Sequence, residues 1–388
     1  MVRCVAKLTD DLMVEILSRL PTKSFFRFQC VSKSWLALSS DPYYQNNFPR
    51  AASGLFVDVP YGDMTAFGHR RRIQYISLSN NDDDLAINTS LSFLRKLWNM
   101  EVIWNMEVIS SSNGLLLCRS WWWVRKICRI TTSLYVCNPA TKEWTVLPGG
   151  EITRYLALGF EPRVSHHYHV LGFDRIARLR IFSTRTNQWV DSEVSNFKEY
   201  RSPQATFTNG IFYVTYGLNQ VLGIDPEGKV CHRVELPESD YVYRDYRLGH
   251  SGGYLHYMLR SKGEINVWML EDYCHVDWIF KHCINVRAML QKHGIPETPY
   301  VYVTEFHPDV DAIFLRIDGN IFSYHLNSGR LEEVYNLPRT SDLGCVAYSP
   351  TNRRGLVMRL SDGMDDGQIY ERLMATYHSM LEEDEPES

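Results

Sequence analysis

The feature that most constrains this chain is a module that recurs through its middle. It is a strand, a polar turn, and a second strand that often carries tryptophan and ends near a proline. LYVCNPATKEWTVLP (134–148) is the clearest copy. RIFSTRTNQWVDSE (180–193), GIDPEGKVCHRVELP (223–237), VWMLEDYCHVDWIFKH (267–282) and IFSYHLNSGRLEEVYNLP (321–338) repeat it, and a worn copy sits at IQYISLSNND (73–82). Trp144 and Trp189 lie 45 residues apart. A second element precedes several copies: SSNGLLLC (111–118), FTNGIFYVTY (207–216) and HSGGYLHYML (250–259), each a glycine turn feeding an apolar strand. Such turns are hairpin signals. A four-stranded unit of roughly 45 residues has the size of one propeller blade. Five clear copies and one faint copy therefore predict a mainly β body, a β-propeller of about six blades. A β-sandwich is the runner-up, since short, evenly spaced strands fit both.

The stretch Leu8–Phe48 reads differently. Thr9 is placed to cap a helix, with Asp10 and Asp11 in its first turn, where negative charge suits the helix dipole. Leu12, Ile16, Leu17 and Leu20 recur at helical spacing and predict one apolar face. Pro21 ends that helix. Thr22 and Ser32 can cap further helices carrying Phe25, Phe26 and Phe28, then Trp35, Leu36 and Leu38. A unit of this size hides a low fraction of its surface. Its large apolar groups either pack on the β body or face a partner, with Lys7, Arg19, Lys23, Arg27 and Lys33 around them.

The run EILSRLPTKSFFRFQCVSKSW (15–35), followed by SDP (40–42), resembles an F-box of the plant type. The family usually opens with Leu-Pro where this chain has Leu8-Thr9, and has a pair of leucines at Phe25-Phe26. The resemblance implies docking to the Skp-type adaptor of a cullin–RING ubiquitin ligase. The positions it assigns to that contact are Leu8, Leu12, Ile16, Leu20, Pro21, Val31 and Trp35. SNGLLLC, LYVCNPATKEWTVLP and LALGFEPRVSHHYHVLGF, in that order, resemble the F-box-associated domain that follows plant F-boxes, with kelch-like spacing. The division this implies is an F-box helical domain over 4–48, an F-box-associated propeller over 50–378 and an acidic, disordered tail over 379–388.

Composition limits the functions open to the chain. Of 388 residues, 45% are hydrophobic and 22% charged, with a formal charge of −4. No global field points to nucleic acid or a membrane, and no run reaches the roughly 18 apolar residues of a membrane span. Nine cysteines without regular spacing, and a start that lacks a signal-peptide core, point to a reducing compartment, cytoplasm or nucleus. The pairs Cys274-His275 and His282-Cys283 and the cluster His166-His167-x-His169 lack the paired spacing of structural zinc, so no metal or cofactor is expected. Neither a phosphate-cradling glycine loop nor a nucleophile elbow occurs. The expectation is a non-catalytic substrate receptor that holds an unidentified client near the ubiquitin-charged enzyme. An F-box scaffold without ubiquitination and, more remotely, a propeller enzyme are the alternatives.

Three local motifs stand apart. His69-Arg70-Arg71-Arg72 reads as a solvated loop, or else as a nuclear signal or phosphate contact. Trp121-Trp122-Trp123 sends its first and third members to one side of a strand and the second to the other. That places rings in the core, or one of them in a binding rim. WNMEVI is duplicated, at 98–103 and 104–109. It reads as an insertion lengthening a loop or strand, neutral or in contact with a client.

Overall fold

The computed structural model describes residues 9–20, 24, 34–35, 38, 54–65, 68–78, 91–95, 104–124, 129–148, 156–162, 164–173, 178–194, 204–217, 219–237, 245–271, 277–307, 310–336 and 345–348. For residues 60–65, 68–72, 92, 95, 104–105, 121–124, 129–132 and 156 the description is of backbone alone. Helix α1 (Asp10–Ser18) comes first, and Ser24, Ser34, Trp35 and Leu38 are helical beyond it. From Gly54 onward the described elements are strands, apart from α2 (Ser92–Arg95) and α3 (Val286–Lys292).

The strands form six antiparallel sheets. Blade 1 is β3 (Trp104–Ser112), β4 (Leu115–Val124), β5 (Arg129–Asn138) and β6 (Glu143–Val146). Blade 2 is β7 (Leu156–Phe160), β8 (Tyr168–Phe173), β9 (Leu179–Ser183) and β10 (Gln188–Asp191). Blade 3 is β11 (Ala205–Thr208), β12 (Ile211–Tyr216), β13 (Gln220–Ile224) and β14 (Val230–Glu235). Blade 4 is β15 (Asp245–Ser251), β16 (Tyr254–Ser261), β17 (Glu264–Leu270) and β18 (Trp278–Asn285). Blade 5 is β19 (Val301–Phe306), β20 (Ala312–Ile317), β21 (Asn320–His325) and β22 (Arg330–Tyr335). Blade 6 joins the two ends of the body, with β23 (Cys345–Tyr348) paired to β1 (Gly54–Thr65) and β1 to β2 (Gly68–Ser77). The first strands pack on one another in a closed ring, β3 on β7, β11, β15, β19, β23 and back to β3. This is a six-bladed β-propeller, and the sandwich alternative falls.

The five clear modules of the sequence are the outer hairpins, β5–β6, β9–β10, β13–β14, β17–β18 and β21–β22. The worn copy begins on β2, the third strand of blade 6. The glycine turns close the inner hairpins. Asn113-Gly114 and Asn209-Gly210 hold φ of 43° and 88°, then 52° and 78°, the left-handed pair that a two-residue hairpin turn requires. The basic run, expected in a loop, lies instead within β2, with Arg70, Arg71 and Arg72 opposite Tyr61, Pro60 and Val59. The second WNMEVI copy lies in a strand. It supplies most of β3, with Met106 and Val108 buried, while the first copy lies outside the described residues.

Burial explains why the middle strands read as continuous apolar runs. The described core of the propeller falls into six clusters, each between two neighbouring blades. A middle strand is therefore covered on both sides. β8 and β20 are buried at every position except His169 and Arg316, whereas the outer β10 and β22 have no buried residue. Two inner-strand glycines seat an aromatic ring of the next blade. A Cβ on Gly159 would meet the Phe207 and Phe212 rings at 2.6 Å, and one on Gly249 the Phe306 ring at 2.5 Å. At the rim, Trp189 Nε1 donates to the Pro148 carbonyl (3.0 Å) and Trp278 Nε1 to that of Glu235 (2.8 Å), each reaching the preceding blade.

The inner strands all run the same way. Their first residues meet at one face, where the Val303 amide donates to Asp245 Oδ2 (2.9 Å). Their last residues meet at the other. There Ser112 Oγ donates to the Phe160 carbonyl (3.1 Å), Ser251 Oγ to His307 O (3.0 Å) and Tyr348 Oη to Gly114 O (3.2 Å). We call these the entry face and the exit face. Consecutive strands alternate in direction, so the inner and outer hairpin turns lie at the exit face and the connections between blades at the entry face.

Candidate functional site

Helix α1 is the first candidate. Thr9 takes the capping position with φ −69° and ψ 156°, but its side chain makes no capping bond; its carbonyl accepts from the Met13 amide at 3.0 Å. The helix ends at Ser18, before Leu20, with the Arg19 and Leu20 amides returning to the Ile16 and Leu17 carbonyls at 3.3 Å. The single apolar face expected from the sequence splits in two. Val14, Leu17 and Leu38 are buried together, with Met13, Leu20 and Trp35 packed against them. Leu12 and Ile16 stand outside, 52% and 46% exposed. They are four residues apart and so form one row on the helix surface. The reason for the split is angular. Positions 13, 14, 17 and 20 complete a stripe toward the rest of the unit, and 12 and 16 fall beside it. Of the positions assigned to adaptor contact, Leu12 and Ile16 are exposed and Leu20 and Trp35 half-buried. Leu8, Pro21 and Val31 lie outside the described residues.

The propeller axis is the second place where function could reside. Arg247 on β15 donates through Nε to the Thr304 carbonyl of blade 5 and through Nη1 to Gln204 Oε1 (2.7 Å) of blade 3. Burial pushes the Glu305 carboxyl up, and Arg247 opposes that shift. Asp245 is likewise raised by burial, against the Val303 amide and the charges of Arg260, Arg247 and Arg316. Thr206 Oγ1 lies 2.9 Å from His250 Nδ1, and burial drives the His250 pKa down to about 4. These groups bridge blades, and most of their polar capacity goes to neighbouring strands. The sequence reading missed this belt. Its signal was present, since Thr206, Asp245, Arg247, His250 and Glu305 interrupt the innermost strands.

Two buried thiols are held in the protonated form. The Cys118 thiol is raised well above its usual range by its hydrogen bond with Cys137 and then by burial. Burial pushes Cys345 up to about 12. Such thiols stay protonated and are poor nucleophiles. Among the described residues no three His, Cys, Asp or Glu side chains gather as a metal site. His282 Nε2 lies 3.7 Å from Asp311 Oδ2, Cys283 is exposed, and Cys274 and His275 lie outside the described residues. Among the described residues no helix is long and apolar enough to cross a membrane.

Comparison with known proteins agrees with both halves. The F-box domain family matches residues 6–45, and the family described as "F-box protein AT5G49610-like, beta-propeller" matches residues 162–348, from the end of β7 to the closing strand β23. Arabidopsis thaliana F-box protein At5g49610 is 25% identical over 377 residues, covering 86% of this chain and 92% of that protein. F-box protein At5g07610 of the same plant is 27% identical over 336 residues, covering 77% and 74%. F-box protein At5g03970 is 24% identical over 363 residues, covering 86% and 84%. With an F-box domain matched over the helical unit and an F-box-protein β-propeller matched over most of the ring, the chain carries an F-box domain followed by a β-propeller of the plant F-box type.

Proposed function

We propose that this chain is the substrate-recognition subunit of a Skp–cullin–F-box ubiquitin ligase, acting in the cytoplasm or nucleus. Its helical unit, residues 4–48, docks to a Skp-type adaptor and through it to the cullin and RING subunits. Its propeller, residues 50–378, holds a client protein, and the acidic segment 379–388 follows. The observation that carries this reading is the exposed pair Leu12 and Ile16 on α1, left out of the unit's own core by Val14, Leu17 and Leu38. An apolar row without a core to fill suits a partner's apolar groove. Leu8, Pro21 and Val31 extend the same contact, and Leu20 and Trp35 serve it from half-buried positions. The propeller needs no reacting group for this role. Holding a client lysine beside the charged conjugating enzyme supplies proximity, and the bond chemistry belongs to other subunits.

Leu12→Asp with Ile16→Asp tests the reading. Both positions are exposed, so the doubly charged variant keeps the circular dichroism and melting of the parent while pull-down of recombinant Skp-type adaptor is lost. Undiminished adaptor capture by a folded variant sinks the docking surface.

A further inference from the structure

Two motifs, the basic run of β2 and the tryptophans of β4, are far apart in sequence and unused by the docking helix. The fold brings them to neighbouring blades at one face. β1 pairs with β23 only over Gly54–Val57. Its ladder with β2 continues past the start of β23, through Asp58↔Ile73 to Tyr61↔Arg70 and Thr65↔Gly68. β5 pairs with β6 only over Tyr135–Asn138, yet its ladder with β4 runs on to Val124↔Arg129. β1 and β2 have 12 and 10 residues and β4 and β5 have 10 each. The strands from β7 onward have four to eight. At about 3.3 Å per residue, the additional length of each ribbon is on the order of 10–20 Å. Both ribbons end at the entry face, because β1 runs antiparallel to β23 and β4 antiparallel to β3. They are neighbours, since β1 and β2 pack on β3.

The residues so assembled have a definite chemistry. The ribbon residues 59–65 with 68–72, and 121–124 with 129–132, contain Arg70, Arg71, Arg72 and Arg129 against a single carboxylate residue, Asp63. The chain as a whole carries −4, so its sign is inverted here.

We propose that the two ribbons form the client-docking surface and that its occupant is a segment of the client rich in aspartate and glutamate. This deepens the substrate-receptor reading and rests on it for the word client. Arginine offers paired donors that match a carboxylate in plane, tryptophan supplies rigid contact area at interface centres, and opposite charge speeds encounter. Nucleic acid is disfavoured because its binders carry a basic domain-wide footprint, which a net charge of −4 does not give.

The test uses the full chain purified with a recombinant adaptor, and fluorescence anisotropy with an alternating Glu–Tyr peptide. Its controls are the Gln–Tyr counterpart, a phosphoserine–Tyr counterpart and a single-stranded oligothymidine. The Glu–Tyr peptide binds, the Gln–Tyr peptide does not, and added salt weakens the binding steeply. The triple variant Arg70→Gln, Arg71→Gln, Arg72→Gln, and separately Trp122→Ala, each lower affinity about tenfold or more. If the triple variant melts early, Arg71→Gln alone carries the test, with Arg71→Lys restoring binding in part. Equal binding of the glutamine peptide, undiminished binding by the folded arginine variants, or tighter binding of the phosphopeptide or oligothymidine overturns the proposal. Adaptor co-purification is read separately. Its loss with peptide binding intact counts against the ligase reading alone, and its retention without peptide binding counts against this surface alone.

Discussion

The helical unit and the propeller handle their apolar side chains in opposite ways. In the propeller each blade lies between two others, and the middle strands are sealed on both sides, β13 down to a single partly exposed residue, Gln220. In the helical unit three buried residues, Val14, Leu17 and Leu38, make the described core, and Leu12 and Ile16 of the same helix stay in water. A small unit has too little interior to close on itself. What it leaves outside is available to a partner, while the ring closes on its own middle strands and leaves exposed apolar groups such as Val190 and Phe280 on its outer strands. The chain enters the ring at Gly54, beside Tyr348 at the exit face, and the basic ribbons end at the opposite face. On the proposed reading, recruitment and capture fall on surfaces of different construction.

The sharpest way to break this comparison is to open the ring. A chain ending at Asn336 lacks β23, so Gly54–Val57 lose their ladder and the clusters between blades 5 and 6 and between blades 6 and 1 lose Cys345 and Tyr348. We expect the truncated body to lose its cooperative thermal transition while the helical unit still captures the adaptor. A milder version is Tyr348→Ala. This side chain is fully buried, its ring lies 5.2 Å from Phe56 and its hydroxyl reaches Gly114. Its removal costs about 3–5 kcal/mol of stability. A truncated chain that melts like the full one means the ring does not depend on its closure.

The outer hairpins were legible because each pairs a buried third strand with a largely exposed fourth, so the apolar pattern changes at a polar turn, and in three of them Trp144, Trp189 or Trp278 lies on the fourth strand. The inner hairpins were legible through Asn113-Gly114 and Asn209-Gly210, whose left-handed pairs few other residues tolerate. The closure was not. β1 and β23 pair across nearly the whole body, and four residues, Cys345–Tyr348, carry no local sign of their partner. The split of the α1 face was also hidden, since periodicity groups Leu12 and Ile16 with Leu17 and Leu20 and cannot say which of them the later helices cover. The basic run was misplaced in a loop because arginines in succession obscure the alternation that marks a strand.

A second, smaller effect separates the propeller from the helical unit by pH. His250 sits between blades 3 and 4 against Thr206, with His256 the nearby charge that also lowers it, and its pKa falls to about 4 from an ordinary 6.5. Above the ordinary value both folded and unfolded chains hold it neutral, so its contribution is complete. As pH falls from about 6.5 toward 4, the unfolded chain takes up a proton that the folded chain refuses, and stability declines by about 2 kcal/mol at pH 5. Glu305 and Asp245, both raised by burial, work in the other sense, because the folded chain takes their protons first. The comparison is therefore made between parent and His250→Gln, melted from neutral to acid pH. The parent should lose the larger amount, and equal slopes refute the assignment.

The smallest effect contrasts one hydroxyl with one exposed leucine. Ser112 Oγ both donates to the Phe160 carbonyl (3.1 Å) and accepts from the Phe160 amide (3.0 Å), tying blade 1 to blade 2 at the exit face. Ser112→Ala leaves that amide and carbonyl without this partner in a buried place, at a cost of about 1–2 kcal/mol. Leu12→Ala removes a larger side chain, yet one that is already half in water, and stability should move by no more than about 0.5 kcal/mol. Denaturant melts of the two variants settle the order. If the leucine costs as much as the serine, Leu12 is covered by the chain itself, and the row on α1 is not free for a partner. If the serine alone matters, the ring is held by polar ties between blades as well as by its wedges of apolar side chains, and the helix keeps its exposed row for binding.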